Sequence, residues 1–175
     1  MSMTRNVRLL LGTVSAIGFV AALLVHLAAL RGVNVAARIP AIWLLHLGIF
    51  AILVPLVFLL RRDFGARTSL LRIAKVLPLP AAILGGVMLA YAIVNFMLFI
   101  QATEGGSPVM RDGAYFLMDH ARVVREITSA EYTAFRANEV RGFSGHWLFF
   151  YYVSTICCFF LETREVIIVS GAAAQ

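Results

Sequence analysis

Four long apolar runs without Asp, Glu, Lys or Arg constrain this chain more than any motif in it. They cover Leu9–Leu30, Ile39–Leu60, Val76–Thr103 and Gly142–Leu161. Each approaches or exceeds the ~20 residues that a helix needs to cross a hydrocarbon core ~30 Å thick. A helix bonds its backbone N–H and C=O groups internally, so such runs can lie in lipid without unsatisfied polar groups. The expected fold is an all-α membrane protein, a four-span transmembrane helix bundle with spans at about 9–30, 39–60, 77–101 and 145–161. Between spans three and four, residues 104–141 are expected to form a small extracytoplasmic cap, a β-hairpin plus a helix. The whole chain, 1–175, reads as a single integral-membrane domain.

Composition narrows the function classes. The chain is 61% hydrophobic, and its spans leave no room for a separate soluble catalytic domain of about 100 residues. A net charge of +6 suggests anionic partners, and the arrangement of the cations selects among them. Arg61, Arg62, Arg67, Arg72 and Lys75 crowd the short loop between spans two and three, opposed only by Asp63. Together with Phe64, Leu70, Leu71 and Ile73, they suit lipid headgroups rather than nucleic acid.

Lys/Arg excess in a short loop marks the cytoplasmic side. That places the N-terminus (Arg5, Arg8) and the C-terminus inside, with Arg31–Arg38 and the cap outside. The cap's arginines are balanced by acids, so they do not oppose this orientation. Trp43 and Trp147 fall at the outer ends of their spans, where an interfacial aromatic belt is expected. The first run exceeds a usual signal-peptide core and reads as an uncleaved span. With no organelle-targeting presequence before it, a bacterial inner membrane is the expected location. Cys157 and Cys158 are neighbours inside span four, and their pairing carries no disulfide framework.

Local signals organise the spans. Ser15, Gly18, Ala22 and His26 form a small-residue row on span one, suited to close helix approach. Pro55 is expected to kink span two; Pro78 and Pro80 open span three, and Gly85-Gly86 offers a second close-packing point. Within the cap, Gly105–Pro108 reads as a turn or linker. Tyr115–Met118 and Val123–Ile127 read as two strands joined at Asp119-His120. Thr128 and Glu131 have capping-box spacing, starting a helix that runs to about Val140 and is expected to stop at Gly142.

Many membrane chemistries lack their residues here. No span holds the Asp, Glu, Lys or Arg that proton-coupled transport or voltage sensing uses. No separated C-x-x-C pair, G-x-S-x-G, H-E-x-x-H or Walker pattern is present. Asp119, His120 and Glu126 cluster near a turn, where such residues ordinarily serve the turn itself.

The histidines are the exception. His26, His46, His146 and Asn95 place one polar group from each span in a common layer of the outer leaflet. Neutral imidazole ligates haem iron, and a bundle core can hold a cofactor between facing helices. Haem b or a quinone is therefore the cofactor to weigh. The histidines have no ligand-spaced pair, so a metal site is not expected. The competing reading is hydrogen bonding between helices, and His46 lies off the row of Gly48, Ala51 and Pro55.

The cap supplies a second candidate surface, with Tyr115, Phe116, Tyr132, Phe135, Arg136 and Glu139 available to a partner subunit. The expected function is a small polytopic accessory or scaffold subunit, non-enzymatic, that binds lipids and another membrane protein or a second copy of itself. The alternatives are a redox protein using haem b or quinone at the His/Asn layer, and lipid or small-solute binding in an outer-leaflet cleft.

Overall fold

A computed structural model of the protein describes residues 5–64 and 75–172. Helix α1 (Arg5–Leu30) is followed by a short α2 (Val35–Arg38), a 3-10 turn (Pro40–Trp43) and α3 (Leu44–Phe64). Helix α4 (Leu79–Gln101) leads into strands β1 (Ser107–Arg111), β2 (Ala114–Asp119) and β3 (Arg122–Ile127), and α5 (Ser129–Ala172) closes the chain. Four of the helical segments are long and apolar enough to cross a membrane.

Helix α5 is the hub of the bundle. Half of its apolar stretch is buried, against 11% in α4, because α1, α3 and α4 each pack on it. The close approaches use glycine. A Cβ on Gly18 of α1 would overlap the Tyr151 ring, and one on Gly48 of α3 would meet the Tyr151 hydroxyl. Tyr151 thus wedges between two helices, and its hydroxyl donates to the Leu45 carbonyl at 2.8 Å. The small-residue row on α1 is buried as expected, and extends to Gly12 and Ala29.

From Ile42 in the 3-10 turn the buried row continues on α3 as Ile49, Ile52 and Leu56, whereas Ala51 and Pro55 are exposed. Residue size misdirected the sequence reading, because this helix fills its interface with β-branched bulk. Trp147 also departs from expectation: it is wholly buried beneath Trp43 and His46 instead of facing an interface.

The cap is a three-stranded antiparallel meander, β1-β2-β3, rather than a hairpin. The stretch read as a linker continues into β1, where Ser107 pairs with Met118 and Arg111 with Ala114. Asp112 (φ 51°) and Gly113 (φ 81°) make the tight turn that closes this pair. Pro108 is tolerated because β1 is an edge strand. The β2–β3 pair was legible, with a register shift between Leu117 and Met118.

The capping box forms as its spacing implied: Thr128 N–H donates to Glu131 Oε2 at 2.7 Å, and Glu131 N–H returns to Thr128 Oγ1 at 3.2 Å. The helix it starts does not stop at Gly142. Cap helix and fourth span are one continuous α5, in which Gly142 makes room for the Phe99 ring of α4. Leu117, Ile127 and Phe135 form the cap's own core, flanked by Tyr115 and Tyr132.

Candidate functional site

Near the cap end of the bundle, α1, α4 and α5 share one buried polar network. His26 projects from α1, and its Nδ1 lies 2.7 Å from Ser144 Oγ on α5. Its Nε2 lies 2.5 Å from Tyr91 Oη on α4, with the two rings edge-on at 85°. Ser144 Oγ donates back to the Arg141 carbonyl at 3.2 Å. Asn95 Nδ2 donates to the same carbonyl at 2.9 Å and lies 3.4 Å from that of Gly142. His26, Asn95 and Ser144 are all almost fully buried, whereas Tyr91 keeps 41% of its surface.

The local sequence explains the convergence. The i, i+4 spacing of Ala22 and His26 keeps the imidazole on the packed face of α1. Tyr91 and Asn95 are likewise one turn apart on α4, so both reach the same turn of α5. Gly145 clears space for the Asn95 amide, whose Nδ2 would lie 2.5 Å from a Cβ there.

The four residues expected to form one layer divide into three sites along α5. His26 and Asn95 are brought together through Ser144 and the Arg141 carbonyl. His46 faces the bundle, off-row though it is, and its Nδ1 accepts the Trp147 indole N–H at 3.0 Å amid the Phe50 and Phe143 rings. His146 bonds the Gly142 carbonyl at 3.2 Å through Nδ1, and its ring stands edge-on to Phe96. Tyr91, Ser144, Arg141 and Trp147 complete the sites, and sequence reading did not select them. The available signal was spacing: Tyr91 precedes Asn95 by one turn, and Ser144 follows Arg141 by three residues.

These bonds define what the arrangement can do. Both ring nitrogens of His26 are engaged, so ligation of haem iron through this ring requires a hydrogen bond to break. His46 commits Nδ1 to Trp147. Among the described residues, no three His, Cys, Asp or Glu side chains gather as a metal site. Tyr91 is the member that combines exposure with a place in the network, and its ring brings the network to the surface of the bundle.

The cap surface is more self-contained than its sequence implied. Tyr115 and Tyr132 pack ring to ring at 4.9 Å, and Phe135 is buried. Phe116 is half-buried in the middle strand, paired with Val109 and Glu126. Arg136 and Glu139 bond each other at 2.6 Å. Arg125 bridges Glu104 at 3.0 Å and Glu131 at 2.8 Å. The Thr128 backbone N–H, then Arg125, hold the Glu131 carboxyl down at about 2. Asp119 and His120 pair at 2.7 Å in the open, on the β2–β3 turn.

Of the basic loop, Arg61 and Lys75 are exposed, and Arg62 lies in the last turn of α3. Arg67 and Arg72 fall outside the described residues. Comparison of the chain with family models, with curated proteins and with solved structures finds no match.

Proposed function

We propose that the protein is a non-enzymatic integral-membrane subunit whose bundle anchors and orients the cap, and whose cap binds another membrane protein. The observation that carries this reading is the continuity of α5. One helix supplies Phe135 to the cap core and Trp147 and Tyr151 to the bundle core. A cap held this way has a fixed orientation to the membrane, as a docking platform requires. The polar groups inside the bundle support the same reading, because their hydrogen bonds join one helix to the next.

On this proposal Phe116 and the Arg136–Glu139 pair, with the exposed Val123 and Val124 of edge strand β3, meet the partner. Tyr115, Tyr132 and Phe135 hold that surface in shape. On this proposal the cap lies on the extracytoplasmic side of a bacterial inner membrane with both termini inside, an orientation that the charge asymmetry supports. The basic loop then lies against anionic headgroups through Arg61, Arg62, Arg67, Arg72 and Lys75.

Photo-crosslinking residues placed at Phe116 and Val123 in native membranes test the reading. It requires one discrete protein adduct common to both positions, lost when Arg136→Glu is added. Adducts with lipid alone, or an indiscriminate ladder, would overturn it. A second reading, redox chemistry with haem b or quinone, is favoured by one observation: the Tyr91 hydroxyl of the His26 network borders exposed surface. A Soret band that shifts on dithionite reduction, or a redox-active quinone retained through purification, would put that reading first.

A further inference from the structure

Helices α1 and α4 both pack on α5 but share no extended surface with each other. Side chains of α5 lie between them. Toward the middle of the bundle, the Tyr152 ring meets Phe19 of α1 at 6.3 Å, while its hydroxyl donates to the Ala81 carbonyl of α4 at 2.8 Å. Two turns toward the cap, His26 and Tyr91 bridge the two helices directly. Where α1 and α4 do not meet, α5 floors a crevice that the His26–Tyr91 pair crosses.

Arg141 stands at the cap end of that crevice. It precedes Ser144 by one turn of α5, and its partner Asn138 donates its amide to the Phe99 carbonyl of α4 at 3.2 Å. Two other arginines of the cap have carboxylates: Arg125 has Glu104 and Glu131, and Arg136 has Glu139. Arg141 pairs with no carboxylate among the described residues, and its NH2 donates only to Asn138 Oδ1, at 2.8 Å. Arg31, ahead of α2, and Arg38, its last residue, are both exposed, and α2 packs on α5 at this same end. A half-buried guanidinium beside a low-dielectric crevice calls for an anion, and its planar fork matches phosphate oxygens.

We infer that the α1–α4 crevice beneath Arg141 binds one glycerophospholipid of the cap-side leaflet, its phosphate on Arg141 and its acyl chains along Tyr91 and Phe19. Arg141 supplies the charge-assisted bonds, and the exposed Tyr91 ring supplies the apolar wall below them. A basic pocket between helices at headgroup depth is a recurring way to hold a lipid phosphate. The site lies at the opposite end of the bundle from the basic loop. It stands or falls independently of partner binding by the cap.

Native mass spectrometry of the full chain in mild detergent, titrated with phosphatidylglycerol, reads the site. The wild type should retain one lipid per chain through collisional activation, and Arg141→Gln should bind about tenfold more weakly, the loss of one charge-assisted bond. Arg111→Gln, the same charge loss elsewhere on the cap, should leave retention unchanged. Equal retention of diacylglycerol, which lacks the phosphate, overturns the proposal. Saturation by inorganic phosphate without lipid makes it a free-anion site and overturns the lipid source. Displacement by ubiquinone overturns it in favour of the redox reading. A second measurement needs no variant. A phosphatidylglycerol with a photoreactive acyl chain should crosslink wild-type protein around Phe19–His26 and Leu84–Tyr91, and labelling spread evenly over the spans overturns the site.

Discussion

Trp147 donates its indole N–H to His46 Nδ1 across 3.0 Å, joining the central helix to α3 at a wholly buried tryptophan. Trp147→Phe keeps most of the apolar area and removes the donor, leaving the imidazole nitrogen unpaired. The expected destabilisation is about 1–2 kcal/mol, since hydrogen bonds between membrane helices are modest. His46→Leu should lose a similar amount, because it strands the indole N–H. If the bond is what matters, the double variant loses less than the sum, with a coupling of about 1 kcal/mol. Unfolding of the four proteins in one detergent measures this, and strict additivity would show that the two side chains act separately.

Glycines of the bundle divide by what a side chain would meet. A Cβ at Gly145 falls on the Asn95 amide and displaces it from the Arg141 and Gly142 carbonyls. Gly145→Ala should therefore cost about 1–3 kcal/mol, combining overpacking with unmade hydrogen bonds. Gly86 has open space around it, so Gly86→Ala should be neutral or stabilise by up to about 1 kcal/mol through helix propensity. Melting temperatures of the two variants should move in opposite directions, or Gly86 should not move at all. Equal losses would mean that Gly86 is packed against something in the native membrane.

The same distinction explains what the sequence disclosed. Spans were legible because absence of charge over twenty residues is a property of the run itself. The row from Ser15 to His26 was legible because its small residues repeat at helical spacing. From the 3-10 turn through α3 the inward face is Ile42, Ile49, Ile52 and Leu56, and nothing in that composition separates it from the exposed Leu44, Leu47 and Phe50. In lipid both faces are apolar, so periodicity loses its contrast. The Gly142 misreading has the same root. A glycine can end a helix or admit a neighbour, and only the position of Phe99 decides between them. The network was half visible: His26 and Asn95 announce themselves as polar residues in apolar runs, whereas Ser144 and the Arg141 carbonyl acquire a role only through packing.

Glu131 gives the cap an acid limit. Its carboxylate accepts from the Thr128 backbone and from Arg125, which lowers it from the ordinary 4.5 to about 2. A folded-state value below the unfolded one means the contribution is complete above about pH 4.5 and fades as pH falls toward 2. The packed Tyr115–Tyr132 pair should report this in near-ultraviolet circular dichroism, losing signal across that window while the helical signal of the bundle persists. Glu131→Gln should show a weaker signal at neutral pH and no further transition in the window. An unchanged transition in that variant would assign the acid limit to another carboxylate.

Hydrogen-bond arithmetic assigns three histidine tautomers once the Ser144 hydroxyl proton is given to the Arg141 carbonyl at 3.2 Å. With that proton so placed, Ser144 Oγ accepts from His26 Nδ1. Neutral His26 then carries its proton on Nδ1 and accepts the Tyr91 hydroxyl at Nε2. His146 also carries Nδ1–H, since its partner is the Gly142 carbonyl, while His46 accepts at Nδ1 and must hold its proton on Nε2. Nitrogen-15 shifts of histidine-labelled protein in bilayers distinguish these forms. Ser144→Ala removes the acceptor at Nδ1 and leaves Tyr91 Oη as the partner still able to accept, so His26 should change to the Nε2–H form. Tyr91→Phe removes the donor at Nε2 but keeps Ser144, so the Nδ1–H form should persist. If neither variant changes the His26 tautomer, Ser144 does not fix the proton, and the directed chain from Tyr91 through His26 to the Arg141 carbonyl is wrong.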